Sequence, residues 1–249
     1  MPSSQKIIYF MACACSTSVS AALLAYAMSE SWARTRLECS RRNDTFDGFA
    51  VITWDLFSGF YQRDKCPLVG SQSTFNVFKV LNGAALILSA LVVLFLVVCL
   101  ICSACSILIA LYNCVSNPYQ TYMGPIGVYV SSSISACLSA VVLIIYAVTV
   151  TVSNMAETIV LSEAGGSQVI LRNKISEFHL GYFLVIPYTV LSLGAIAVVY
   201  LYDHAAYTQR MEQQRPTEDA PKEITVHLHS IKSFLVLVKD KKCKKLTIN

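Results

Sequence analysis

The sequence predicts an all-α membrane protein, a bundle of four membrane-spanning helices with a small antiparallel β-sheet in its first long loop. Two observations carry this. Residues 7–28, 84–111, 126–150 and 181–202 contain no Asp, Glu, Lys, Arg or His. At a rise of roughly 1.5 Å per residue, about 20 residues cross a ~30 Å hydrocarbon core, so each stretch is long enough to span as a helix. The composition agrees, with 55% hydrophobic and 14% charged residues and a mean hydropathy of +0.56, against about 25% charged in a soluble domain. Within lipid no water satisfies backbone N–H and C=O groups, so unbroken apolar runs must close their own hydrogen bonds as helices. A barrel would instead show alternating strands of about ten residues.

Taken in order, residues 1–6 are a short lead containing Lys6. The span at 7–28 has a rival reading as a cleaved signal peptide, because Lys6 precedes it and Ala25, Tyr26 and Ala27 have the small-x-small form of a cleavage site. A signal core is about 7–15 residues, shorter than this run, which favours a retained helix. The loop 29–83 contains Phe49–Trp54 and Thr74–Phe78, both rich in β-branched and aromatic residues and so read as strands. It holds only two cysteines, Cys39 and Cys66, and a glycosylation sequon at Asn43. Pairing the two cysteines restricts the unfolded loop by roughly 3–4 kcal/mol in the chain-entropy model, which matters where little core is available.

The span at 84–111 leads into an uncharged connector, 112–125, in which Pro118 stops a helix and biases Asn117 to an extended conformation, as a tight helical hairpin requires. The span at 126–150 is followed by the loop 151–180, with Gly165 and Gly166 and nearly balanced charges, where nothing marks a site. The last span, 181–202, contains Pro187, and the tail 203–249 ends with Lys239, Lys241, Lys242, Lys244 and Lys245 around Cys243. Beside the apolar Phe234–Val238, such a stretch can lie on an anionic inner leaflet at ~1 kcal/mol per basic residue. A solvated, charged end is the alternative.

Four spans put both termini on one side. Ten Lys and Arg lie on the side of the termini and nine on the other, so charge does not decide orientation. The paired cysteines and the sequon do, since both belong on a lumenal or extracellular face. Both termini are therefore expected in the cytosol.

Chemistry is sparse. Ion paths, proton relays and coupled transport sites are marked by ionisable residues inside the membrane, and these spans have none. Cys99, Cys102 and Cys105 have metal-like spacing, yet they lie in the hydrocarbon with Cys13, Cys15 and Cys137, where thiols pack as small apolar groups. Cys114, near a span end, is a candidate for S-palmitoylation. His179, His204, His227 and His229 lie at span ends or in the tail, without a nucleophile, base and orienting group to assemble. No enzyme, cofactor, metal or nucleic-acid partner is expected. Helix contacts are read from small residues: Gly127, Ser131, Ser135 and Ser139 at successive i+4 positions, with Ser132, Ala136 and Ala140 beside them, and Ala14, Ser18 and Ala22 in the first span. Such ladders let backbones approach closely, which is what drives helix association in lipid. The functional alternative is a serine-lined pore, that is, a small-solute channel or the auxiliary subunit of a channel or transporter.

The residues resemble the clarin family, within the wider claudin and peripheral-myelin-protein group. The carriers are Met1 and Pro2 with a lysine-containing lead, Trp32 ahead of Cys39, the sequon at Asn43, Trp54–Gly59 with Cys66 following, Asn117–Tyr129, and Arg210–Pro216. The resemblance runs to about Glu223. It implies a claudin-like, left-handed four-helix bundle under an extracellular sheet, in a multi-pass plasma-membrane protein. It further implies an organiser or adhesion-type scaffold acting through lateral and loop contacts with membrane or cytoskeleton-linked proteins. Claudins carry both loop cysteines after a Gly-Leu-Trp motif, whereas here Cys39 precedes and Cys66 follows Asp55–Phe57.

Overall fold

The computed structural model describes residues 3–41, 48–64, 72–115, 124–163, 169–209 and 211. Pro2–Tyr200 form one compact unit; of the second, Leu201–Asn249, residues 201–209 and Met211 are described and are helical. The elements in chain order are α1 (Ser3–Ser29), β1 (Ala33–Arg41), β2 (Gly48–Trp54), β3 (Ser58–Asp64), β4 (Gln72–Asn76), α2 (Val77–Val80), α3 (Gly83–Val115), α4 (Pro125–Val152), α5 (Met155–Glu163) and β5 (Val169–Phe178). A sixth helix among the described residues, α6, is Leu180–Gln209.

Four helices, Ile7–Ser29 within α1, α3, α4 and α6, are long and apolar enough to cross a membrane. Pro125 opens α4 at its first turn, where the missing N–H has no intrahelical partner to lose. Outward-facing Ile87, Leu94, Ile101 and Leu108 on α3, and Ile126, Ile134, Ile144 and Val148 on α4, are exposed in the isolated chain. A lipid sheath accounts for them. Hydroxyls within the spans turn back on their own helices: Thr17 donates to the Cys13 carbonyl at 2.8 Å and Ser192 to the Tyr188 carbonyl at 3.0 Å.

The five strands form one antiparallel sheet in the order β4-β3-β2-β1-β5. Its inner face, with Ala33, Leu37, Ala50, Ile52, Trp54 and Tyr61, merges into one core with Leu24, Val92, Leu96, Val142, Tyr146 and Val185 of the helices. Met155, Ala156, Ile159 and Val160 of α5 belong to the same core. The sheet is thus seated on one end of the bundle, with α5 as a wedge.

The anticipated sheet exists, but it is larger than a first-loop hairpin. Phe49–Trp54 lie in β2. Thr74–Asn76 lie in β4, but Val77 and Phe78 do not stay extended: the Asn76 side chain accepts from the Phe78 N–H at 3.0 Å and starts α2 at Val77. The second loop contributes both α5 and β5, and β5 pairs along β1. Its register shifts between Arg36 and Glu38, where Asn173 takes a φ of 51°. Asn tolerates that left-handed conformation better than other residues bearing a Cβ, as a bulge of this kind needs.

The helix faces also differ from the small-residue ladders. In α1 the buried side is Phe10, Cys13, Ala14, Thr17, Ser20, Leu24 and Ala27, whereas Ser18 and Ala22 are exposed. In α4 the buried side includes Val128, Ser132, Ser135, Ala136, Ser139 and Val142; Gly127 and Ser131 are half-buried and Ala140 is exposed. The reason is angular. A step of four residues advances about 400° at 3.6 residues per turn, so an i+4 ladder drifts by about 40° each step and crosses the contact face instead of following it.

Candidate functional site

Trp32 is where the sheet and the bundle are joined. It follows α1 directly and is fully buried. Its indole Nε1–H donates to the Ala27 carbonyl at 2.7 Å, satisfying one of the carbonyls that the end of α1 leaves open. Its backbone N–H donates to the Trp54 carbonyl at 2.8 Å, and its own carbonyl accepts from His179 N–H at 2.9 Å. Gly181 N–H donates to the Ser31 carbonyl at 3.0 Å. The ring meets Tyr146 of α4 edge-on at 4.9 Å between centroids. Three helices, β2 and the end of β5 therefore converge on two consecutive residues.

Gly181 makes the approach possible. A Cβ there would lie 2.5 Å from Trp32 Cδ1 and 2.9 Å from the Ser31 carbonyl oxygen. Around this point Phe178 stacks on Tyr182 at 4.4 Å, and Trp54 Nε1–H reaches Thr35 Oγ1 at 3.3 Å. Thr35 Oγ1 is 3.1 Å from Ser176 Oγ, which links the inner faces of β1 and β5.

Within the bundle, hydroxyls connect helices. Tyr188 of α6 donates to the Cys99 carbonyl of α3 at 3.2 Å and lies 3.0 Å from Ser103 Oγ. Ser139 of α4 lies 2.8 Å from Thr189 Oγ1 of α6, and Ser106 lies 3.4 Å from Ser132. The Ser135 hydroxyl is buried with no hydrogen-bond partner among the described residues, while its carbonyl oxygen is 3.6 Å from Cys99 Sγ. A Cβ on Gly127 would meet Ile109 Cδ1 at 3.0 Å, so the half-buried glycine still marks close α3–α4 packing.

Cys39 lies on the inner sheet face and is disulfide-bonded; Cys66, Asn43 and the five tail lysines lie outside the described residues. Cys114 is half-buried at the end of α3. Cys99 is buried, Cys102 half-buried and Cys105 exposed, so the three point to different sides of α3. Among the described residues no three His, Cys, Asp or Glu converge on a metal-sized site. In the sequence Trp32 counts only as a carrier of the family resemblance, and the junction is missed there because its partners on β5 and α6 carry no local signal.

The outer sheet face holds a cavity of about 520 Å³ lined by residues that include Arg34, Arg36, Phe49, Val51, Ile175 and Glu177. The Arg36 guanidinium carbon sits 4.7 Å above the Phe49 ring centre, a cation–π contact.

A four-span membrane protein whose two loops on one side build a single sheet locked to the bundle is the class this architecture defines. The chain belongs to the clarin family: the Clarin-2-like family model matches residues 4–186. It is 28% identical to Clarin-3 of Homo sapiens over 186 residues, which cover 73% of this chain and 80% of that protein. It is 25% identical to Clarin-3 of Mus musculus over 226 residues and 26% identical to Clarin-3 of Rattus norvegicus over 227, each covering 90% of this chain and 98% of the relative.

Proposed function

We propose that this chain is a non-enzymatic organiser of the plasma membrane, an adhesion-type scaffold that works through lateral contacts of its bundle and through the sheet. In this reading the sheet is extracellular, both termini are cytosolic, Asn43 carries glycan, and Cys39 pairs with Cys66. Membrane and cytoskeleton-linked proteins are its partners. Lys239, Lys241, Lys242, Lys244 and Lys245 attract anionic inner-leaflet lipids, and Cys114 is a site for S-palmitoylation.

The observation that carries the reading is the junction at Trp32. A sheet contributed by both loops and held to three helices through buried hydrogen bonds is a rigid platform, and rigid platforms suit contact surfaces better than moving gates. The hydroxyls that would line a pore instead face one another across helices, as in the Ser139–Thr189 and Ser103–Tyr188 pairs. Proximity labelling from the full chain in a polarised cell, paired with conductance of the reconstituted protein, tests the proposal. Labelled membrane and cytoskeleton-linked proteins with no conductance above protein-free bilayers are expected. A protein-dependent conductance altered by Ser139→Ala would replace the scaffold with the channel reading.

A further inference from the structure

Residues directly opposite on antiparallel strands point to the same face, so the outer side of the β1–β5 ladder can be read from its register. At one end Arg34 stands opposite Glu177; past the bulge, Glu38 stands opposite Arg172. The polarity is reversed between the two ends. β1 is positive and β5 negative at the first, and β1 is negative and β5 positive at the second. Between them lies the row of Arg36, Ile175 and Val51, with Ile175 55% exposed and Arg36 drawn aside over Phe49. Asn173 Nδ2 donates to Glu38 Oε2 at 2.7 Å and fixes that carboxylate in place.

Such a pattern is complementary to itself. A two-fold axis in the plane of the face and perpendicular to the strands lays β1 on β1 and β5 on β5 of a second copy, running antiparallel. Arg34 then meets Glu38 of the second copy, and Glu177 meets its Arg172, at all four positions. Ile175 meets its equivalent at the axis, above the buried Val51, while Arg36, which the same operation would place against its own equivalent, is turned aside over Phe49. An isologous interface requires this kind of self-complementarity.

We propose that the outer face of the sheet binds the same face of a second copy of this chain displayed on an apposed membrane. The inner face is occupied by the bundle end and α5, so the outer face is the one left for a molecule from outside. Five strands about 4.8 Å apart, with about six residues of ~3.3 Å each, give a face of roughly 480 Å². Two faces together cover about 1,000 Å², the lower bound for specific association, so single contacts are weak and many act together between membranes. The inference rests on the adhesion-type reading and names its partner.

The test is clustering of vesicles carrying the full-length protein in phosphatidylcholine, followed by two-colour energy transfer. Two variants each reverse one end while keeping its cross-strand attraction: R34E/E177R and E38R/R172E. Wild-type vesicles cluster, less so as salt rises. Each variant alone presents like charges to its own copy, which costs enough to lower clustering by about tenfold or more. Mixing the two variants restores clustering, because all four end contacts across the mixed pair are again between opposite charges. The variant carrying all four changes clusters with itself and not with wild type. Variants that cluster like wild type, or a mixture that does not recover, overturn this face while leaving the scaffold reading in place. Wild-type vesicles that never cluster, from protein that still labels partners in cells, overturn the homotypic contact alone.

Discussion

Replacing Gly181 by Ala sets two effects of opposite sign against each other. Gly→Ala within a helix is favourable by about 1 kcal/mol from propensity alone. Here the added Cβ would lie 2.5 Å from Trp32 Cδ1, 2.7 Å from its Nε1 and 2.9 Å from the Ser31 carbonyl oxygen. Comfortable contacts begin near 3.5 Å, so something must move by about 1 Å. Trp32 is held by its bond to Ala27 and by Tyr146, and Ser31 O accepts from Gly181 itself. Overpacking of this kind costs about 1–3 kcal/mol or more, and with little room to relax the clash outweighs the propensity gain.

Gly194, in the same helix, is the control, because a Cβ there meets nothing within 4 Å. Gly194→Ala should be neutral or stabilising by up to about 1 kcal/mol. The propensity gain is common to both, so the two variants should differ by the overpacking cost, about 1–3 kcal/mol, when unfolded by SDS titration in mixed micelles. The chain has two tryptophans, Trp32 and Trp54, so intrinsic fluorescence reports directly on this junction. Equal unfolding midpoints for Gly181→Ala and Gly194→Ala would refute the packing argument.

Tyr188→Phe removes the hydroxyl shared with Ser103 and the Cys99 carbonyl, and should destabilise the bundle by about 0.6–1.7 kcal/mol in the same titration. Adding Ser103→Ala should then cost little more, because the two changes break one contact. Cys39→Ser and Cys66→Ser should each reduce surface delivery, consistent with about 2–5 kcal/mol for a native disulfide, and the double variant should be no worse. Free thiols at both positions in peptides from unreduced surface protein would contradict the pairing. Asn43→Gln should increase electrophoretic mobility in cell-expressed protein; no shift, together with glycan on a sequon engineered into the tail, would invert the proposed orientation.

The spans are legible because lipid imposes a coarse rule, about 20 residues without charge, that no local context overrides. β2 was visible for a similar reason, its aromatic and β-branched residues being buried on or beside the core. β1 hides itself. Arg34, Arg36 and Glu38 alternate with Ala33, Thr35 and Leu37, and the outward charges make a strand look like a polar loop. β5 is harder still, because Thr35 and Ser176, which meet across the sheet, are 141 residues apart. Pairing over that distance leaves no trace in a short window. In α4 the small-residue ladders reached the packed face at Ser132, Ser135, Ala136 and Ser139 but not at Ala140, since i+4 is not quite the helical repeat. In α1 the same drift carried Ser18 and Ala22 to the lipid side.

The late arrival of β5 gives biosynthesis an order. β1 leaves the ribosome long before its outer partner exists, so until the fourth helix is made its edge presents unpaired backbone groups, a template for wrong pairing. Only when His179 and Gly181 reach Ser31 and Trp32 does the last helix seat and the sheet close. A chain cut short between Val152 and Val169 would keep three apolar spans and an open edge, the form that quality control retains. Arrival of the fourth span is thereby reported just after the first, through two backbone bonds beside a single tryptophan.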